Sequence, residues 1–269
     1  MKIFINKRKL KKFVENEKEL GFVPTMGNLH KGHISLFKRS LSECRKTIAT
    51  IFVNKPQFNK KNDYLKYPRT INNDIKILKK LKIDYLYIPG HKDIYPFGPN
   101  KKIKINYLEK KLCGKFRPGH FRAVVDVVDK FINIIKPKKI YFGEKDMQQL
   151  KIIEDYVKKK YDKITIVGCK TVREKNGIPF SSRNNLLSTN EKIIASKIYK
   201  ILVLNKKYLI KKFISMNRIR NKIFNLGVKK IDYITLLDVN KLTKPYKKNK
   251  RYKIFVAYYL RTTRLIDNI

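Results

Sequence analysis

The sequence predicts an α/β fold with two domains, a larger one built on a parallel sheet and a smaller α+β domain. Up to residue 174, short apolar runs alternate with helical patterns, as in a sheet whose strands are joined by helices. After that, one long helical pattern is followed by two apolar runs of strand length. We therefore expect domains at residues 1–174 and 175–269.

The strands of the first domain are predicted from continuous apolar runs, which are typical of strands buried on both faces. A first strand ends near Phe22-Val23-Pro24, and the later runs are residues 47–53, 83–88, 139–142 and 164–167. Helical periodicity marks the segments between them, residues 34–44, 71–81, 121–135 and 146–159. In the second domain we expect helix over residues 190–224, interrupted near Ser215, and strands over residues 231–237 and 252–260.

A turn rich in glycine and histidine follows the first strand. Residues 24–33 read P-T-M-G-N-L-H-K-G-H and lead into the apolar start of a helix. Backbone N–H groups and the positive end of the helix dipole point outward from such a turn, which favours phosphate. His30 and His33 share one helical face, and Gly32 admits a ligand close to the backbone. The pattern suits a triphosphate attacked at its α-phosphorus; a structural role of two histidines at a helix start is the alternative.

Uncharged polar side chains follow the next strand. Asn54 and Gln57 lie at its carboxyl end, the edge at which open α/β sheets bind ligands. Their amides both donate and accept hydrogen bonds, which suits a substrate with hydroxyl groups. A polar turn broken by Pro56 would have the same composition.

Basic residues mark three further loops. Arg117, His120 and Arg122, in R-P-G-H-F-R, precede a helix and are suited to clamp an anion. Lys145, in G-E-K-D-M-Q-Q, follows a strand at a predicted helix N-terminus, where the helix dipole disfavours a cation unless a phosphate binds. Arg183 stands in F-S-S-R-N, whose hydroxyls and guanidinium suit β- and γ-phosphates. An ordinary serine N-cap would explain one of those serines but not the arginine.

Composition bounds the class of protein. The chain has 269 residues, 42% of them hydrophobic, which is typical of a globular protein of one or two domains. The formal net charge is +44, but the lysines are spread along the chain and no nucleic-acid-binding module is recognisable. We interpret the charge as a compositional drift toward Lys, Ile and Asn and expect no specific nucleic-acid partner. The charge would still attract anionic substrates.

Cysteine usage and hydropathy indicate the compartment. Cys44, Cys113 and Cys169 stand far apart without a C-x-x-C pair, which predicts a reducing environment with neither disulfides nor a zinc site. The N-terminal segment lacks the apolar core of a signal peptide, and no apolar stretch approaches the roughly 20 residues that span a membrane. We expect a cytoplasmic protein that does not contact a membrane and holds no metal ion by its own side chains.

These motifs, in this order and spacing, resemble those of the pantothenate synthetase (pantoate–β-alanine ligase) family along nearly the whole chain. F-V-N-x-x-Q-F, Y-P-R-T at residues 67–70 and R-L-I-D-N at residues 264–268 also match. The resemblance implies a Rossmann-like parallel sheet carrying an H-x-G-H nucleotide site. It implies an ATP-dependent ligase that adenylates pantoate, releases pyrophosphate and lets β-alanine attack the pantoyl adenylate, giving pantothenate and AMP. It further implies Mg²⁺ with the ATP and a cytoplasmic homodimer.

The resemblance also implies roles for individual residues. The ATP site would be lined by Met26, Gly27, Asn28, Leu29, His30, Lys31, Gly32 and His33, by Gly143, Glu144, Lys145 and Asp146, by Val172, and by Phe180, Ser181, Ser182 and Arg183. His33 would be the proton-donating catalytic histidine, with His30, Lys145 and Arg183 as further catalytic groups on the phosphates. Gln57 and Gln149 would hold pantoate, and Gln57 would also lie near β-alanine.

Four positions depart from the family pattern without removing a catalytic group. Lys55 stands where proline is usual, Ala123 where glycine is common, Asp126 where a small hydroxyl residue is usual, and Pro179 where a small residue precedes S-S-R.

Two other functional classes remain open. A nucleotidylyltransferase or aminoacyl-tRNA synthetase could share the H-x-G-H site, although we find no K-M-S-K-S-like loop or anticodon-binding domain. A nucleic-acid-binding protein is suggested by charge alone.

Overall fold

The computed structural model describes residues 1–243 and 251–269. Its internal contacts group the chain into two compact units. The first comprises Met1–Glu144 and Gln148–Lys170, and the second comprises Lys145–Met147 and Thr171–Ile269. The short segment that carries Lys145 thus groups with the C-terminal unit, although the residues on both sides of it belong to the other unit.

A six-stranded parallel sheet forms the centre of the first unit. Its spatial order is β1 (Lys2–Phe4), β4 (Tyr85–Tyr87), β3 (Lys46–Ile51), β2 (Leu20–Thr25), β5 (Lys139–Gly143) and β6 (Thr165–Cys169). The central strands are buried on both faces, which explains their continuous apolar sequences. The chain moves outward from β2 through β3 and β4, then returns to the other side of β2 for β5 and β6. The carboxyl end of β2 is therefore the switch point at which open α/β sheets bind ligands, and the predicted Rossmann-like fold is confirmed.

Helices connect these strands. They are α1 (Lys7–Val14), α2 (Lys31–Glu43), α3 (Lys61–Leu65), α4 (Ile71–Lys80), α5 (His91–Ile94), α6 (Leu112–Phe116), α7 (His120–Ile135) and α8 (Met147–Lys160). The largely buried α7 packs on the sheet, where the rings of Phe131 and Phe22 meet edge to face at 5.7 Å. The sequence did not predict β1 or α1, because neither contains a continuous apolar run.

The second unit pairs two helices with an antiparallel sheet. The helices are α9 (Thr189–Ile210) and α10 (Met216–Phe224), and the strands are β7 (Lys230–Asp238), β8 (Tyr252–Leu260) and β9 (Thr263–Asn268), in that spatial order. Ser215 caps α10 by accepting a hydrogen bond from Arg218 N, so the interruption predicted there is confirmed. The expectation of two strands is corrected to three. Strand β9 reads T-R-L-I-D-N, and only its pairing with β8 makes this short, partly charged run a strand.

Apolar side chains from both layers form the core of this second unit. Buried members include Ile198, Leu202, Ile219, Ile254 and Val256. Within the described parts of the chain, no helix combines the length and apolar character needed to cross a bilayer.

Candidate functional site

The turn between β2 and α2 has a backbone shape that its sequence makes possible. Gly27 and Asn28 have positive φ angles of 79° and 52°. A Cβ atom at Gly27 would lie 2.9 Å from Oδ2 of Asp74, so a larger residue does not fit. Thr25 fixes the start of the turn, because its Oγ1 accepts from Gly27 N at 3.1 Å and donates to Thr50 O at 2.7 Å.

Asp74 holds this turn from 46 residues away in the sequence. The side chain lies fully buried in the first turn of α4. Its Oδ2 accepts from Asn28 N at 2.9 Å and from Thr70 Oγ1 at 3.1 Å, and its Oδ1 accepts from Leu29 N at 2.8 Å. Hydrogen bonds to a carboxylate are stronger than neutral ones. The role of Asp74 is not visible in the sequence, because an acidic residue in the first turn of a helix is common for its favourable interaction with the helix dipole alone.

His30 and His33 form the N-terminal cap of α2. His30 Nδ1 accepts from Gly32 N at 3.2 Å, and His33 Nδ1 accepts from His30 N at 3.3 Å. The two rings lie 4.0 Å apart between centroids. The helix begins at Lys31, so His30 precedes the first helical turn rather than lying on it. The structural role that the sequence left as an alternative is therefore present.

This cap determines how the histidines can act. An Nδ1 atom that accepts a backbone hydrogen bond carries no proton, so the hydrogen-bond pattern assigns the proton of each neutral ring to Nε2. The proton of each neutral ring then lies on the nitrogen that does not cap the helix. The structural and chemical roles of the two histidines are thus compatible, because they use opposite ring nitrogens.

The amides of Asn54 and Gln57 contact each other after β3. Asn54 Nδ2 donates to Gln57 Oε1 and to Ala123 O, both at 3.1 Å, and Gln57 Nε2 lies 3.2 Å from Met26 Sδ. Met26 belongs to the β2–α2 turn. The structure therefore places the amide pair against the β2–α2 turn within the first unit.

The R-P-G-H-F-R loop supports this amide pair. His120 is buried, and its Nδ1 donates to Gln57 O at 2.9 Å, while Arg117 Nη1 meets His120 Nε2 at 2.9 Å. Arg122 does clamp an anion, but the anion is the protein's own Glu109, at 2.7 and 2.8 Å. Its hydrogen bonds lower the pKa of the Glu109 carboxyl. We conclude that this loop fixes the backbone of Gln57.

Two adjacent glutamines on α8 have different environments. Gln148 is buried, with its Oε1 accepting from Cys113 N and its Nε2 donating to Leu108 O and Lys111 O. Gln149 is half-buried, and among the described residues its side chain makes no hydrogen bond. The amide of Gln148 is thus occupied by the protein, whereas that of Gln149 can bind a ligand.

In the second unit, Lys145 lies in a 3₁₀ turn, Glu144–Asp146, that follows the end of β5 at Gly143. Its Nζ is 3.5 Å from Asp146 Oδ1, so a neighbouring carboxylate offsets part of the charge that conflicts with the start of α8. Asn268, at the end of β9, donates through Nδ2 to Lys145 O at 2.8 Å. The R-L-I-D-N motif thereby anchors the backbone of the lysine.

A tight reversal contains Val172 and the S-S-R motif of the second unit. Phe180 N donates to Val172 O at 3.1 Å, and Arg173 pairs with Pro179 as an isolated bridge. Ser181 Oγ accepts from Arg183 N at 3.3 Å, so this serine is an N-cap. The serine N-cap that the sequence analysis gave as the alternative is therefore present. Ser182 opens the following 3₁₀ turn, and the side chain of Arg183 is exposed.

The four residues that depart from the family pattern all lie in ordered local structure. Lys55 and Pro56 begin the 3₁₀ turn that carries Gln57, and the carbonyl oxygen of Ala123 accepts the hydrogen bond from Asn54 Nδ2. Asp126 is buried and accepts from Asn100 N at 2.9 Å, and burial raises the pKa of its carboxyl. Pro179 O accepts from Asn184 Nδ2 at 3.0 Å.

Over residues 1–243 and 251–269, no group of three or more His, Cys, Asp and Glu side chains has an arrangement that could hold a metal ion. Three cysteines are present as free thiols.

Comparison with known proteins extends these observations. The family model described as pantoate-beta-alanine ligase matches residues 2–269. The pantothenate synthetase of Sulfurihydrogenibium sp. is 41% identical over 94% of this chain and 92% of its own length, and that of Thermosipho africanus is 38% identical over 96% and 94%.

Solved structures match equally well. The pantoate-beta-alanine ligase of Francisella tularensis, complexed with Beta-gamma ATP and Beta-alanine, is 40% identical and covers 100% of this chain and 97% of its own, with a TM-score of 0.87. A pantothenate synthetase structure from Thermus thermophilus is 31% identical over 100% and 99%, with a TM-score of 0.91. A switch-point turn capped by two histidines, an amide pair beside it and a match over the full length agree on one conclusion: the chain belongs to the pantoate-beta-alanine ligase family.

Proposed function

We propose that this chain joins pantoate and β-alanine to form pantothenate at the expense of ATP, which is cleaved to AMP and pyrophosphate. Family membership over residues 2–269 supports the reaction class. The related Francisella tularensis structure, with Beta-gamma ATP and Beta-alanine bound, supports two of the three substrates. The observation that carries the proposal is the histidine-capped turn at the switch point, with Asn54 and Gln57 beside it.

The nucleotide is assigned mainly to the β2–α2 turn. We propose that residues 26–33 bind ATP, because the turn places the start of α2 and its two capping histidines at the switch point of the sheet, where an anion is favoured. Gly143 and Glu144 at the end of β5 belong to the same proposed set. In the second unit we assign Lys145, Asp146, Val172 and residues 180–183 to ATP, with Lys145 and Arg183 acting on phosphate charge.

Pantoate is assigned to Gln57 and Gln149. Both are uncharged amides, which suit hydroxyl groups and a carboxylate without adding a charge of their own. Gln57 is fixed at its backbone by His120, and it presents an N–H beside Met26. An uncharged amide in this position can form hydrogen bonds with the hydroxyl groups of pantoate, whereas a cation would bind any carboxylate with little selectivity.

The reaction follows as two displacements. A pantoate carboxylate oxygen attacks the α-phosphorus, the bond to the β-phosphate oxygen breaks, and pyrophosphate leaves. The β-alanine amine then attacks the acyl carbon, AMP leaves and the amine loses a proton. Negative charge grows on the phosphates in the first step, and donors such as His33 Nε2–H, Lys145 and Arg183 stabilise it. Holding two mutually repelling anions in line is the other main contribution.

We further propose that Mg²⁺ enters bound to the ATP phosphates. Mg²⁺ commonly keeps water and phosphate ligands rather than an all-protein cage. A cytoplasmic homodimer remains our expectation from the family resemblance.

Isotope exchange tests the proposed function directly. We expect exchange of labelled pyrophosphate into ATP when pantoate is present, and AMP and pantothenate once β-alanine is added. 3,3-Dimethylbutyrate, which lacks both hydroxyls of pantoate, should support little exchange. Exchange that depends on an amino acid instead of pantoate would favour a synthetase-like activity and contradict the proposal.

A further inference from the structure

We infer that Tyr95 is a positioning residue for the pantoate-binding amide of Gln57 and that it acts through Asn54. The inference rests on the proposed function, which assigns Gln57 to pantoate. All three residues belong to the first unit. Nothing in the sequence motifs singled out Tyr95.

Asn54 has one orientation that satisfies its neighbours. Its Nδ2 lies 3.1 Å from Ala123 O, and a carbonyl oxygen can only accept, so the amino group must lie on that side. Its Oδ1 accepts from the Tyr95 hydroxyl at 2.7 Å. Asn54 is only 1% exposed, so water has little access to replace a lost partner.

The orientation of Asn54 is passed on to Gln57. The second hydrogen of Asn54 Nδ2 goes to Gln57 Oε1 at 3.1 Å, which turns the carbonyl end of Gln57 toward Asn54. Gln57 Nε2 then lies on the other side, 3.2 Å from Met26 Sδ. A thioether is a weak acceptor, so an oxygen of pantoate would be the stronger partner for this N–H. The chain of hydrogen bonds runs in one direction, from Tyr95 through Asn54 to Gln57.

The surroundings of Tyr95 keep its hydroxyl in place as a donor. The side chain is buried, its ring centroid lies 6.2 Å from that of Phe52, and Lys130 Nζ is 5.2 Å from the ring. Burial and the nearby carboxylate of Asp126 raise the pKa of the Tyr95 hydroxyl, so it keeps its proton at neutral pH. Without this hydroxyl, Oδ1 of Asn54 would be buried and unpaired. The Asn54 amide would then keep only the two hydrogen bonds that its Nδ2 donates, to Ala123 O and to Gln57 Oε1.

Tyr95→Phe removes one oxygen atom and tests this chain. We expect it to raise the dissociation constant of pantoate about tenfold, the effect of losing one buried hydrogen bond. ATP affinity should stay unchanged. Tyr87→Phe is the matched control, because Tyr87 is also fully buried in the first unit and its hydroxyl has no hydrogen-bond partner among the described residues. Calorimetric titration with α,β-methylene ATP present, whose α–β bridge cannot be cleaved, measures pantoate binding without turnover in every variant.

A double-mutant cycle separates positioning from a merely structural role. If Tyr95 acts through Gln57, Tyr95→Phe should change pantoate affinity less than about twofold in a Gln57→Ala background. The same loss of effect is expected in an Asn54→Ala background, which provides a second test if the first double variant is poorly soluble. Melting temperatures of all variants report any general loss of stability.

The outcomes distinguish the inference from the proposed function. An equal effect of Tyr95→Phe in the wild-type and Gln57→Ala backgrounds would overturn the inference, as would no effect in the wild type. If the wild-type protein neither binds pantoate nor catalyses pantoate-dependent exchange, the proposed function itself fails. Non-additive losses confined to pantoate, with Tyr87→Phe unchanged, would support both.

Discussion

The two units hold their proposed phosphate-binding groups in different ways. In the first unit, both the backbone and the rings are fixed, because His30 and His33 each give Nδ1 to a backbone N–H and Asp74 holds the turn before them. In the second unit, hydrogen bonds fix the backbone of Lys145 and Arg183, and several rotatable bonds separate that backbone from the charge.

This difference follows from how the groups act. An imidazole N–H stabilises charge through a hydrogen bond, which weakens steeply when its distance or angle changes. A cation acts through Coulomb attraction, which falls more gradually with distance. A ring therefore has to be held directly, whereas a long basic side chain needs only a fixed starting point. Four substitutions test this comparison.

His33→Ala should have the largest effect, because it removes a group whose ring is fixed at the proposed reaction centre. We expect the adenylation rate to fall by about 10²–10⁴, the range for loss of an acid–base group. Loss of the cap should also lower the free energy of unfolding by about 0.5–2 kcal/mol. Single-turnover kinetics and chemical denaturation measure the two effects.

Ser215→Ala provides the control for His33→Ala. It removes the cap of α10 in the same chain, where Ser215 Oγ accepts from Arg218 N. A comparable loss of stability with a normal adenylation rate is expected. If the two variants lost activity equally, the effect at His33 would be structural and the contrast between the units would fail.

Lys145→Gln should lower kcat by about 10²–10³, similar to the loss of one preorganised donor to a developing charge. Because the lysine acts through charge, Lys145→Arg should recover part of the rate, whereas no substitute of similar shape is available for His33. The control is Lys151→Gln, which removes a half-buried lysine that pairs with Glu154 within α8. Steady-state kinetics on all three variants are sufficient, and full activity of Lys145→Gln would refute the assignment.

Asp74→Asn tests the anchor of the first unit. Asparagine keeps one carbonyl oxygen but turns an amino group toward a backbone N–H, so the turn loses an acceptor. We expect the KM for ATP to rise about tenfold and the free energy of unfolding to fall by about 1–3 kcal/mol. Asp93→Asn makes the same exchange at the start of α5, where Asp93 accepts from Gly90 N, and should leave the KM for ATP unchanged.

Asn268→Ala tests the anchor of the second unit and should have the smallest effect. It removes the hydrogen bond to Lys145 O together with the one that Asn268 Oδ1 accepts from Lys253 Nζ. The bond to Lys145 O is neutral and worth about 1 kcal/mol, so we expect about a fivefold rise in the KM for ATP. Asn205→Ala removes a comparable donor to a backbone carbonyl inside α9 and should leave kinetics unchanged. A larger effect at Asn268 than at Asp74 would reverse the comparison, since backbone anchoring would then matter more in the second unit.

Much of the fold was readable from local patterns. Runs such as residues 47–53, in which apolar and β-branched residues follow one another without a charge, predicted central parallel strands, because strands buried on both faces are mostly apolar. The break near Ser215 was visible for a similarly local reason, a serine that caps a helix. The sequence did not predict β1, α1 or β9, nor the short helices α3, α5 and α6. These elements are short or charged, and β1 and β9 depend on pairing with a neighbouring strand.

The sequence by itself determined the residue types at the candidate site and their position at strand ends. This was possible because glycine, histidine, amide and basic residues at β–α turns indicate a ligand-binding site by their type and position in the sequence alone. Only the tertiary structure decided how they are held: Asp74 under the β2–α2 turn, His120 behind Gln57, and Asn268 on Lys145. These contacts join residues 46, 63 and 123 positions apart. Hydrogen bonds over such separations depend on how strands and helices pack, and no local pattern encodes that packing.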